Sequence, residues 1–150
     1  MLRDRALVPL SQQHHNGLAL CVLTERSLQG ENSPETLARL ASRVVDRYDE
    51  ELSNHFAIEE EVVFPAIEQE LGSCALAHEL IAEHRQVEMI VDQLRGGGDR
   101  VTLQQFTTLL RTHIRREENE LFEEMQQQLS RKTLDALGAI IDARAVRIPI

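Results

Sequence analysis

HFAIEEEVVFP at residues 55–65 and HIRREENELFE at residues 113–123 decide how this chain is read. Each opens on a histidine, His55 or His113, and places a glutamate four positions on, Glu59 or Glu117. A second glutamate stands beside the first, Glu60 or Glu118, and a phenylalanine follows the histidine by nine positions, Phe64 or Phe122. On an α-helix, residues four apart lie about 40° apart round the axis and about 6 Å apart along it, so each histidine and glutamate project side by side. Both pairs continue a stripe that is otherwise apolar: Leu37, Leu40, Val44, Tyr48 and Leu52 before His55, and Phe106, Leu109 and Leu110 before His113, with Leu121 and Met125 following. A carboxylate on a core-facing stripe is costly to bury without compensation. A metal compensates directly, because neutral imidazole and ionised carboxylate are ligands for iron, manganese or zinc.

Outward from these segments the periodicity is helical throughout, and no alternating run between hairpin turns suggests a sheet. Ser11 is the expected N-cap of a first helix ending near Gly30, with Leu18, Cys21 or Val22 on its apolar face. Ser33-Pro34-Glu35 opens a second, from about 34 to near 71, with Pro65 expected to kink it or end its main segment. Gly72-Ser73 breaks the chain before a third helix with Leu76, Leu80, His84, Val87 and Val91 inward, ending at a short, flexible loop, Gly96-Gly97-Gly98. A fourth runs from about 101, and Ser130-Arg131-Lys132 starts an amphipathic tail helix carrying Leu134, Leu137, Ile140 and Ile141. The predicted fold is all-α: an antiparallel up-down four-helix bundle over about residues 7–128, with a short C-terminal helix at about 130–146 closing one end or serving a partner chain.

With 150 residues the expectation is one domain spanning 1–150, long enough to bury a core. Only one tyrosine, four phenylalanines and no tryptophan contribute to the 42% apolar residues, so the core must be aliphatic. A net charge of -9 argues against a nucleic-acid partner. With neither a signal-peptide pattern nor a membrane span, the expected location is the cytoplasm, with no membrane partner. Cys21 and Cys74 lack a CxxC spacing and read as small buried apolar residues.

Other histidines complete the pattern. His84 is 11 residues before Arg95 and His113 is 12 residues after Val101, so the hairpin brings them to one height. The same logic brings a first-helix histidine, His14 or His15, towards His55. Two octahedral irons sharing an oxo or hydroxo bridge and two bridging carboxylates need about two histidines each, which four histidines with Glu59 and Glu117 supply. The count favours a dinuclear centre.

LSNHFAIEEEVVFPAI and RTHIRREENELF, with AEH at 82–84 and QHH at 13–15, resemble the hemerythrin-like (HHE cation-binding) family over about residues 7–128. The resemblance implies a four-helix bundle holding a non-haem di-iron centre, with His55, Glu59, His84, His113 and Glu117 as ligands and the glutamates bridging. His14 and His15 both remain candidates: His14 follows a polar residue as His84 does and is preferred, whereas His15 has the better spacing to Leu18 and Val22. Oxygen-carrying members have a second histidine four positions from the first on the third helix; here the neighbours at that spacing are Leu80 and Glu88. Glu88 is therefore a candidate carboxylate ligand, and Glu118 an alternative to Glu117. Iron-sulfur cluster repair proteins share the pattern of residues 55–65 but carry an additional cysteine-bearing N-terminal segment, whereas this chain starts its bundle almost at once.

His78 reads as a surface or rim histidine, Phe64 and Phe122 as core residues that also wall the site, and Arg115-Arg116 as a solvated patch. The function expected is di-iron binding with a small diatomic ligand or peroxide bound or sensed, or iron handled. Alternatives are a di-iron enzyme reducing oxygen or peroxide or delivering iron for repair, and a metal-free bundle associating, for instance as a homodimer, through its C-terminal helix.

Overall fold

The computed structural model describes residues 2–148, and among these every regular element is helical. A 3-10 turn at Arg5–Leu7 leads into α1, Val8–Leu28. Helix α2 is the unbroken run of Pro34–Arg47, Tyr48–Leu52, Ser53–Ile58, Glu59–Val63 and Phe64–Leu71. Helix α3 is Ala75–Arg95; α4 joins Arg100–Arg116, Glu117–Leu121 and Phe122–Gln128; α5 is Arg131–Arg144.

Helix starts follow cap chemistry. Ser33, Asp99 and Ser130 each accept a backbone N–H three residues on, with Pro34 in the first turn after Ser33. The first helix departs from expectation. Asp4 accepts the Ala6 N–H and starts the chain's first turn, so Ser11 lies inside α1, where its hydroxyl donates to Glu118 Oε2 at 2.8 Å. The buried stripe of α1 is Leu10, His14, Gly17, Cys21, Thr24 and Leu28, while Leu18 is half-buried and Val22 exposed. Cys21 is buried, and desolvation pushes its thiol up to about 11. Cys74 is only partly buried and has a local task instead, its sulfur accepting the Ala77 N–H at the start of α3.

Pro65 does not end α2. The helix passes through it by way of a wider π turn at Glu59–Val63, and α4 has an equivalent π turn at Glu117–Leu121 with no proline, so proline is not its cause. The triple-glycine loop is more than flexible: a Cβ on Gly98 would lie 2.6 Å from the Leu37 carbonyl oxygen and 2.7 Å from the Ala41 Cβ. Only glycine lets that loop lie against α2.

The apolar core falls into two clusters. The first gathers Leu7, Leu10, Ile58, Phe64, Leu80, Leu121 and Phe122 with Leu134, Leu137 and Ile141 of α5. The second gathers Cys21, Val44, Leu52, Phe56, Val87, Phe106, Leu110 and Ile114. Along α1 and α3 the chain passes from the first cluster to the second, and along α2 and α4 from the second to the first. The apolar face of α5 is thus occupied by this chain itself, with Ile140 alone of its four expected apolar residues exposed. Ion pairs Arg131–Asp4 and Arg5–Asp135 fasten α5 to the N-terminal turn. Among the described residues no helix is long and apolar enough to cross a membrane.

Candidate metal centre

Between the two apolar clusters lies a buried polar layer: His14 from α1, His55 and Glu59 from α2, His84 from α3, His113 and Glu117 from α4, none more than 4% exposed. The histidines that hairpin counting put at one height lie together, the His84 and His113 rings 4.9 Å apart and the His14 and His55 rings 4.5 Å. All four imidazoles aim Nε2 inward. Glu117 Oε1 lies 2.6 Å from His14 Nε2 and 3.3 Å from His55 Nε2, while its Oε2 lies 3.0 Å from His113 Nε2 and 3.7 Å from His84 Nε2. Glu59 does likewise, with Oε2 3.3 Å from His55 Nε2 and Oε1 3.1 Å from His84 Nε2. Each carboxylate therefore spans the two histidine pairs, one oxygen to each.

Two overlapping sets of atoms could each hold a cation: His14, His55, Glu59 and Glu117, and Glu59, His84, His113 and Glu117. The donors fit such an ion, because Glu59 Oε2, Glu117 Oε2 and His113 Nε2 are buried and make no hydrogen bond. Orphaned buried polar atoms are rare unless something else satisfies them.

A profile of the hemerythrin HHE cation binding domain matches residues 7–125. The chain belongs to the hemerythrin HHE family. No curated protein and no solved structure matches it.

Around the inner ring of this HHE domain stands an outer ring that fixes the imidazoles. His14 Nδ1 hydrogen-bonds Glu118 Oε2 at 2.6 Å, and His84 Nδ1 hydrogen-bonds Glu60 Oε2 at 2.7 Å. His55 Nδ1 hydrogen-bonds Gln13 Oε1 at 2.9 Å, and His113 Nδ1 hydrogen-bonds Glu83 Oε1 at 2.7 Å. An acceptor at Nδ1 keeps the proton there and leaves the Nε2 lone pair facing the interior, as a metal-binding histidine requires. Arg3 and Ser11 hold Glu118, Arg85 holds Glu60 and Arg116 holds Glu83.

The repeated segments now account for every shared position. The first glutamate spans the inner ring, and the second reaches Nδ1 of a histidine on the neighbouring helix: Glu60 to α3, Glu118 to α1. The phenylalanine faces the same neighbour, Phe122 stacking on His14 at 5.3 Å and Phe64 on His84 at 6.1 Å. A residue five positions on in an α-helix is turned away by about 140°. Here the π turn closes from the Phe64 N–H to the Glu59 carbonyl, and from the Phe122 N–H to the Glu117 carbonyl, bringing each phenylalanine back towards the layer.

Three of the open candidates lie outside the inner ring. His15 is exposed, one position round α1 from the inner ring, so the choice between His14 and His15 falls on His14. Glu88 pairs with Arg85 and does not reach the layer. Glu118 belongs to the outer ring and does not replace Glu117. His78 is at the surface, paired with Glu68. The sequence reading missed the outer roles of Gln13, Glu60 and Glu83, and Phe56, whose ring stacks on His84 at 3.8 Å. A signal for two of them was present: Gln13 and Glu83 each immediately precede a ring histidine.

Without a cation the layer is held by protons. Burial works against a charged imidazole, yet Glu59 and Glu117 raise His55 to about 10. The same competition raises His84 to about 9 and His113 to about 10. Burial likewise opposes the charge on Glu117, but the charge on His113 and the close imidazoles of His14 and His55 hold its carboxyl well below the usual range. A cation entering the layer must therefore displace protons.

Proposed function

We propose that this HHE domain is an antiparallel up-down four-helix bundle, closed at one end by α5, that holds two iron ions and uses them to bind or sense oxygen, nitric oxide or peroxide, or to handle iron. The helix order is supported by the alternating direction in which α1 to α4 pass the two apolar clusters, and by the pairing of Glu79 with Arg116 and Glu83 with His113 across α3 and α4. The dinuclear reading is carried by one observation: Glu59 and Glu117 each offer one oxygen to each of two histidine pairs. A single ion would leave one pair of buried imidazoles uncompensated. His14 and His55 would hold one ion, His84 and His113 the other, and the two glutamates would reach both.

When bound, the irons would supply reversible redox chemistry and an affinity for small ligands. The protein's own contribution is positional. The outer ring orients each Nε2, while Phe56, Phe64 and Phe122 exclude water from the imidazole faces. Since Leu80 lies in the apolar core and Glu88 is held by Arg85, α3 offers one histidine and no further ligand. The protein thus furnishes fewer ligands than two octahedral ions accept, leaving room for a small external one.

Anaerobic reconstitution with ferrous iron, followed by metal analysis and the optical spectrum before and after air, tests this. Two irons per chain with a charge-transfer band on oxidation are expected. His55→Ala and His113→Ala should each lose iron, and retention of both irons in either variant contradicts the assignment. A stable adduct with oxygen or nitric oxide supports binding, whereas catalytic consumption of peroxide moves the reading to the enzyme alternative.

A further inference from the structure

The two halves of the layer mirror one another in their paired glutamates and phenylalanines, although Phe56, which stacks on His84, has Ile114 in the corresponding position of the other half. Glu59 and Glu117 are matched, as are Glu60 and Glu118, and Phe64 and Phe122. Gln13 and Glu83 also match in position: each immediately precedes a ring histidine and reaches across to Nδ1 of the histidine on the adjoining helix, Gln13 to His55 and Glu83 to His113. One is a neutral amide and the other a carboxylate.

The amide is firmly set. Gln13 Nε2 donates to Asn54 Oδ1 at 2.9 Å and to the Val146 carbonyl at 3.2 Å, so its oxygen is left for His55. Asn54 is pinned in turn, accepting the Val146 N–H at 3.0 Å and donating to the Arg144 carbonyl at 3.0 Å. The end of α5 and Val146 just beyond it thereby hold the one neutral member of the outer ring in place.

We infer that the two cation positions are unequal, and that the His84/His113 position fills first because Glu83 backs His113 where Gln13 backs His55. The inference rests on the dinuclear reading above. A carboxylate acceptor makes a hydrogen bond about twice as strong as a neutral one, and an imidazole so polarised is the better electron donor through its other nitrogen. The arginines do not remove the difference, since Arg3, Arg85 and Arg116 pair with all three outer carboxylates alike. Both imidazoles of the His84/His113 pair are backed by carboxylates, against one of two in the His14/His55 pair. Glu83 is a positioning residue in this account. Loss of such a partner weakens a metal site about 10- to 100-fold.

Cobalt(II) tests this without any turnover assay. The full chain is titrated anaerobically, and the paramagnetically shifted Nδ1–H resonances are followed by proton NMR, assigned from His14→Gln and His84→Gln spectra. At one equivalent the wild-type protein should show shifted signals from His84 and His113, with those of His14 and His55 appearing in a second step at least about tenfold weaker. Glu83→Gln should weaken the first step about 10- to 100-fold and leave the second in place, merging the two. Circular dichroism of the metal-free variant checks its fold, and the wild-type titration stands without the variant. Signals from both pairs rising together, His14 and His55 appearing first, or equal weakening of both steps in Glu83→Gln would overturn the inference while two bound cobalts keep the dinuclear reading. Absence of cobalt binding would overturn both.

Discussion

Leu80 and His84 stand one turn apart on α3, and both are fully buried, yet they are kept in place by different means. Leu80 sits among Leu10, Ile58, Leu121 and Phe122, side chains that require only one another. His84 lies between Glu59 and Glu60, and its environment needs protons or a cation to balance it. The apolar clusters supply stability whatever is bound; the polar layer contributes according to what occupies it. The two regions meet where Phe56, Phe64 and Phe122 of the apolar clusters stack on the imidazoles.

The comparison is strained hardest by adding and removing the cation. At a free iron concentration 1,000-fold above its dissociation constant, each filled position should add about 4 kcal/mol to unfolding stability, so chelation should lower the denaturant midpoint steeply. A midpoint unmoved by chelation would mean that the layer binds nothing. Next comes Leu80→Ala, expected to cost about 3 kcal/mol in the metal-free and iron-loaded forms alike while two irons remain bound, by denaturant titration and metal analysis. Loss of iron in that variant would show the cluster and layer to be less separate than argued.

Acidity separates the regions further. His55, His84 and His113 have folded-state values raised from 6.5 to between about 9 and about 10, so in the metal-free domain their contribution is complete below pH 6.5 and lost as pH rises through 9 to 10. Glu117, depressed from 4.5, contributes above that value and is lost as pH falls below it. Thermal unfolding of the metal-free protein should therefore show its highest midpoint between pH 4.5 and 6.5, falling towards 10, each kcal/mol being worth about 2–4 °C. Iron loading should flatten the alkaline fall, because cations then replace the protons. The smallest effect is Gly98→Ala, far from the layer, where the new Cβ meets α2 and should cost about 1–3 kcal/mol with iron binding unchanged.

The positions of both regions were readable from the chain. Apolar periodicity located the stripes of α2, α3 and α4, and the repeated His-x-x-x-Glu-Glu spacing located the layer, because both depend on which face of a helix a residue occupies. His15 and Val22 stood as alternatives to His14 and Cys21 because a histidine pair gives two overlapping stripes on α1; the one containing Leu10, Gly17 and Cys21 is buried, and Gly17 admits Ile114 of α4 closely. The outer ring was less legible. Gln13, Glu60, Glu83 and Glu118 lie off the buried stripe by one position, where a polar side chain ordinarily means solvent, and only their reach across to another helix reveals their role. The π turns at Glu59 and Glu117 left no local propensity signal, though their consequence, a phenylalanine five positions after each glutamate, was written in the repeat.

The central claim is that Glu59 and Glu117 span two cation positions. Anomalous diffraction from crystals of the iron-loaded protein at the iron edge tests it most directly. The account predicts two peaks in one chain, one against His14 and His55 and the other against His84 and His113, with both glutamates reaching both. A single peak, or iron lying outside this layer, would contradict it.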